Sequence, residues 1–191
     1  MKANVNKMIQ PIVAYGDPVL RKTGANIDEK YKDLQKVIEN MWATMYNAHG
    51  VGLAAPQINK SINLFIVDTA AFDEESFPVL KKVFINSEII EEWGEEWEYE
   101  EGCLSIPNIR ENVFRMPNIR LKYQDENFKS HTEEFSGIAA RVIQHEYDHC
   151  KGKLFVDYIP ELKRRLLKNK LLGISRGEAK VEYKMRLPKI K

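Results

Sequence analysis

The sequence predicts an α+β fold: mostly antiparallel β-sheets packed around a central metal-binding helix, with an N-terminal amphipathic helix and a C-terminal helix. Two observations predict the layout. Apolar residues recur at helical spacing near the N-terminus and again from Gly137, and strand-length runs rich in aromatic and β-branched residues lie between those helices. Helix, several strands, then helix is the order of an α+β domain rather than of an alternating parallel one. A third observation, His-Glu-x-x-His within the second helical run, gives that helix its metal.

In chain order, Asp28–His49 reads as the amphipathic helix, because Leu34, Val37, Ile38, Met41, Trp42 and Met45 share one face and Gly50 offers a stop. Gly50–Gln57 is small and apolar, and Pro56 forbids a continuing helix. Ile62–Asp68 and Val83–Ile90 read as strands, separated by a polar surface loop around Asp73–Pro78. Trp93–Leu104 and Ile119–Asp125 are further strands. The period turns helical from Gly137 to about Lys151, and a last helix begins after Pro160, interrupted at Gly173 and Gly177.

With 191 residues the chain is expected to form one domain, with Met1–Lys7 as an extension of no identified structural duty. Hydrophobic residues at 43% and charged residues at 30% exclude a disordered or fibrous chain. A net charge of +1 does not advertise a nucleic-acid partner, but it is uneven: residues 161–191 hold 11 Lys/Arg against 3 Asp/Glu, a net of +8, leaving −7 for the rest. Two cysteines do not make a secreted framework, and no signal peptide or membrane span is read, so a reducing cytoplasm is expected, and a monomer for lack of any long exposed heptad. There a thiol is free to bind metal.

The chemistry centres on Gln144-His145-Glu146-Tyr147-Asp148-His149. At about 100° per residue, positions four apart lie about 40° apart on the helix. His145 and His149 can therefore offer two imidazoles to one divalent ion, with Glu146 beside them to move protons. Ile138, Val142, His145 and His149 form one stripe, aliphatic at its start and imidazole at its end, which sets an apolar pocket beside the metal.

Catalytic sites of this kind want a third protein ligand. The extended motif ending in a third His fails, since Phe155 stands there. Glu161 is the candidate for a downstream carboxylate ligand, while Cys150 points about 100° away from His149 and reads as a core thiol. Cys103, in Glu101-Gly102-Cys103-Leu104-Ser105, is either a small buried residue or a thiolate delivered by a strand end. A metallopeptidase, or a module with a closed structural zinc site that recruits Cys150, are the rival readings.

Gly50-Val51-Gly52-Leu53-Ala54-Ala55-Pro56-Gln57, Glu101–Ser105 and Gln144–His149 together resemble the three signature motifs of the peptide deformylases, in the right order. Asp17–Arg21 and Gly152–Ile159 extend the resemblance over roughly residues 8 to 160. It implies that Cys103, His145 and His149 bind the metal and that Glu146 is the general acid/base. It implies Gln57 and the Leu104 N–H as donors to the oxyanion when metal-bound hydroxide attacks the formyl carbon of a formyl-methionyl nascent peptide. The ion implied is Fe(II) in the cell, with zinc, nickel or cobalt in purified protein. Ile138, Val142 and Val51 would wall the methionine pocket, Gly50 and Gly52 would let the peptide pair alongside, and Arg110 resembles a residue near the cleft. A ribosome contact through residues 161–191 is an expectation of equal standing with a merely solvated basic face. The segment Thr69–Lys82 is longer than in compact members, and Cys150 stands where an aliphatic residue is common.

Overall fold

Strand β3 (Leu64–Asp68) is buried along its whole length, and its alternating side chains face two different layers. Leu64 and Ile66 pack toward helix α1 (Leu34–Asn47) with Met41, Met45 and Leu53. Phe65 and Val67 pack toward helix α2 (Gly137–Cys150) with Ile138, Val142 and Ile143. A strand covered on both faces must read as a continuous apolar run, as this one does. The computed structural model describes residues 8–72 and 79–189. The loop expected at Asp73–Pro78 and the extension Met1–Lys7 lie outside the described residues.

Three sheets carry the remaining strands. The central sheet has the order β2-β3-β4-β7-β8, all antiparallel, formed by β2 (Gly52–Ala54), β3, β4 (Lys81–Trp93), β7 (Asn118–Gln124) and β8 (Ser130–Ser136). A hairpin of β5 (Trp97–Cys103) and β6 (Ile106–Arg115) stands apart from it. A short parallel pair joins β1 (Ile12–Val13) to β9 (Met185–Arg186), tying the two ends of the described chain together. Helix α3 (Glu161–Ser175) follows α2, and its buried Leu171 and Ile174 join the core cluster of β6 residues Ile106, Ile109 and Val113.

The structure shifts several expected boundaries. Helix α1 starts at Leu34 rather than Asp28, because Asp28 accepts from the Lys30 and Tyr31 N–H groups in a turn and Asp33 adopts a left-handed φ of 58°. The expected strand Trp93–Leu104 is two elements: β4 ends at Trp93, and Gly94 at φ 106° turns the chain before β5. Helix α3 runs through Gly173 and ends at Ser175, just before Gly177, whose φ of 80° suits a residue without a Cβ. Strands β1, β6, β8 and β9 had no sequence expectation.

Candidate active site

Helix α2 enters the core with an aliphatic first half and presents its second half to the end of β5. There the ligand atoms of Cys103, His145 and His149 all lie within 4.8 Å of one another. Cys103 Sγ is 3.2 Å from His149 Nε2, and the two imidazoles meet edge to face with centroids 5.1 Å apart. β5 delivers the thiol because the ladder slips between Gly102 and Cys103, pairing Cys103 with Ile106 across a tight turn. Glu161, the alternative third ligand, is instead exposed on α3 and paired with Arg165. Cys150 is fully buried in the cluster that holds Phe65, Val67 and Ile143, with its S–H directed at the Leu64 carbonyl 3.6 Å away.

The donor set fits one divalent ion. His145 Nδ1 lies 2.9 Å from Glu101 Oε2, which turns the other ring nitrogen toward the thiol. Carboxylate-held imidazoles are a recurring feature of metal sites. Glu146 is buried, and its Oε2 finds no partner among the described residues. Gly52 makes room for it, since a Cβ there would stand 2.5 Å from Glu146 Oε1.

Behind the triad sits a charge network that sequence reasoning missed. Arg115 donates two bonds to Glu101, at 2.7 and 3.1 Å, and a third to Asp148 at 2.7 Å. Arg141 reaches Glu101 at 3.0 Å and the carbonyls of Val113 and Trp97 at 2.9 and 2.7 Å. All four side chains are buried, so each charge depends on the others. Burial alone would raise the Glu101 pKa, but His145 and Arg115 outweigh it and hold the carboxyl well below its usual range. Burial likewise opposes charge on His145, yet Cys103 and Glu101 raise it well above the ordinary value. Burial and the neighbouring His145 push His149 well below its own. Burial also lifts Glu146 to about 7. The signal available in the sequence was Arg141 in an otherwise apolar helix start, and an acid inside the cysteine motif itself.

A cavity of about 690 Å³ opens onto this cluster. Gly50, Val51, Gly52, Gln57, Cys103, Leu104, Arg110, Ile138, Val142, His145 and Glu146 all line it, while His149 forms the buried back of the cluster. Ile138 and Val142 are buried with Val51 packed against their cluster. Gln57 is held by its Oε1, which accepts from the Ala54 N–H at 2.8 Å. Its Nε2 therefore faces the site, 3.3 Å from Ser105 Oγ and 3.6 Å from Cys103 Sγ. Arg110 stands at the exposed rim, paired with Glu100 at 2.8 Å. Lys180, Val181, Glu182 and Tyr183 also line it, from the C-terminal segment for which only a ribosome contact or a solvated basic face was expected. Burial and the nearby Cys103 push the Tyr183 phenol up to about 12.

Known proteins resemble this chain over most of its length. The family model described as polypeptide deformylase matches residues 9–165. A peptide deformylase of Christiangramia forsetii is 57% identical, covering 96% of this chain and 98% of the relative. That of Cytophaga hutchinsonii is 54% identical over 95% and 98%. Among solved structures, a Legionella pneumophila peptide deformylase superposes with a TM-score of 0.79 at 38% identity, covering 91% of this chain and 99% of that one. A match over most of the chain, together with a Cys/His/His cluster at the floor of a cavity, means that the chain belongs to the polypeptide deformylase family of metallohydrolases.

Proposed function

We propose that the chain removes the formyl group from the N-terminal formyl-methionine of nascent polypeptides in the cytoplasm, releasing formate and a free α-amino group. The observation that carries this reading is the buried Glu146, with an unpartnered carboxylate oxygen, next to the Cys103/His145/His149 cluster at the floor of the cavity.

In this reading Cys103, His145 and His149 hold one divalent ion, Fe(II) in the cell and zinc, nickel or cobalt after purification. When bound, the ion polarises the formyl carbonyl and lowers the pKa of a water molecule toward neutrality. Glu146 takes a proton from the attacking water and gives it to the leaving α-amino nitrogen as the C–N bond breaks. Gln57 Nε2 and the Leu104 N–H donate to the oxyanion that develops on the formyl oxygen. Ile138, Val142 and Val51 accept the unbranched methionine side chain. The substrate backbone pairs beside Gly50–Gly52 as an added strand, toward Arg110 at the rim.

The test is formate release from a short formyl-methionyl peptide, with wild type and Glu146→Ala compared at equal metal content. Loss of roughly 10²–10⁴-fold in rate by the variant, with one ion still bound, is the expected outcome. No release from metal-replete wild type would overturn the reading, as would an active variant.

A further inference from the structure

Peptide Leu104–Ser105 sits where the β5–β6 ladder has slipped, so regular strand pairing does not hold it. One bond from outside the hairpin holds it, and a second holds the peptide that follows. Tyr183 donates its O–H to the Leu104 carbonyl at 2.8 Å, and the Tyr15 N–H donates to the Ser105 carbonyl at 2.9 Å. Both donors flank the pair of strands that joins the ends of the described chain. Tyr15 lies two residues after β1, and Tyr183 two residues before β9. That pair is itself closed by Ile12 N–H to the Lys184 carbonyl and Ala14 N–H to the Arg186 carbonyl, both 2.9 Å. Asn108 on β6 adds a bond to the Lys180 carbonyl at 3.3 Å. Residues 180–183 thus run as a strap along one wall of the cavity, and the strap lies beyond residue 165, where the family match ends.

We infer that Tyr183 is a positioning residue, which acts through the Leu104 peptide to fix the backbone donor that faces the formyl oxygen. The inference rests on the proposed deformylase chemistry. The physical ground is that a turn peptide outside the strand ladder has no regular pairing to fix its rotation, whereas an oxyanion donor works only when it is held in place before the reaction. The phenol bond restrains the carbonyl of Leu104, and with it the ψ angle that relates this peptide to the Leu104 N–H on the other side of the same Cα. Tyr183 is half-buried, touches the turn through its hydroxyl and belongs to no metal-ligating group. Its effect should therefore fall on the reaction and leave ion binding alone.

Tyr183→Phe keeps the ring and removes only the O–H. On the nickel-loaded enzyme we expect kcat to fall about three- to tenfold, the span of one lost hydrogen bond, with KM and metal content unchanged and the thermal midpoint lowered by only about 1–6 °C. Hydrogen exchange of the 103–106 turn supplies a readout independent of activity, and it should quicken in the variant while α2 stays as protected as in wild type. Wild-type kcat in the variant would overturn the inference, as would a loss confined to KM or unchanged exchange at the turn. If wild type itself releases no formate, the deformylase reading fails and Tyr183 loses its catalytic role with it. The exchange result still decides whether Tyr183 holds the turn.

Discussion

Glu101 is buried against two arginines and an imidazole, and no substitute can satisfy all three. Its two oxygens receive Arg115, Arg141 and His145 at once. Replacing it with Gln removes the charge that both guanidinium groups need and puts an amide against the His145 ring. We expect Glu101→Gln to weaken metal affinity by roughly 10–100-fold and to cost about 3 kcal/mol of stability, the scale of a broken buried ion pair. Competition against a chromogenic chelator reads the first and urea unfolding of the metal-free protein the second. An unchanged affinity would mean that His145 is oriented without its carboxylate. The residue scale is also where the sequence was most legible. His145, Glu146 and His149 announce themselves by spacing, and Cys103 by an odd setting of Glu, Gly and Ser around a lone thiol. Glu101 lay in the same motif and went unread, because nothing local shows that Arg115 and Arg141, 14 and 40 residues away, will converge on it.

Helix α2 was legible as an element because its apolar stripe and its candidate ligands share one face, and β3 because both its faces are buried. β8 was not, since Ser130–Ser136 is polar on both sides and only Phe135 is buried. β6 was obscured by Pro107 and by Asn108, whose φ is 62°. The end of α2 depends on a glycine. Gly152 sits at φ 73°, and a Cβ there would stand 2.7 Å from the Arg21 carbonyl oxygen, a backbone atom with no freedom to swing aside. The adjoining contact is that of Arg21 with Asp157, which docks the segment after α2 onto the turn at Pro18–Arg21. Gly152→Ala is expected to destabilise the protein by about 2 kcal/mol or more, from the left-handed conformation and the clash together. The urea midpoint measures it. A shift near zero would show that the turn relaxes without cost.

At the scale of the molecule, the candidate site joins parts that fold far apart in sequence. One candidate ligand comes from the hairpin and two from α2, and the residue that makes room for Glu146 lies on the edge strand of the central sheet. An ion bridging hairpin and helix binds the folded arrangement and not the open chain, so it must stabilise the fold as a whole. At a free-ion concentration a thousandfold above the dissociation constant, the gain is about 4 kcal/mol. For a chain of this size, each kcal/mol moves the midpoint by roughly 2–4 °C. Chelation should therefore lower the calorimetric midpoint by about 8–16 °C, and re-addition of nickel should restore it. Cys103→Ala provides the discriminating control. If the thiolate is one of three ligands, the variant unfolds near the chelated wild type and responds weakly to nickel. A metallopeptidase-like site that used only the two imidazoles and another group would keep the full shift in the variant. The same scan would then remove Cys103 from the metal and the deformylase mechanism from this chain.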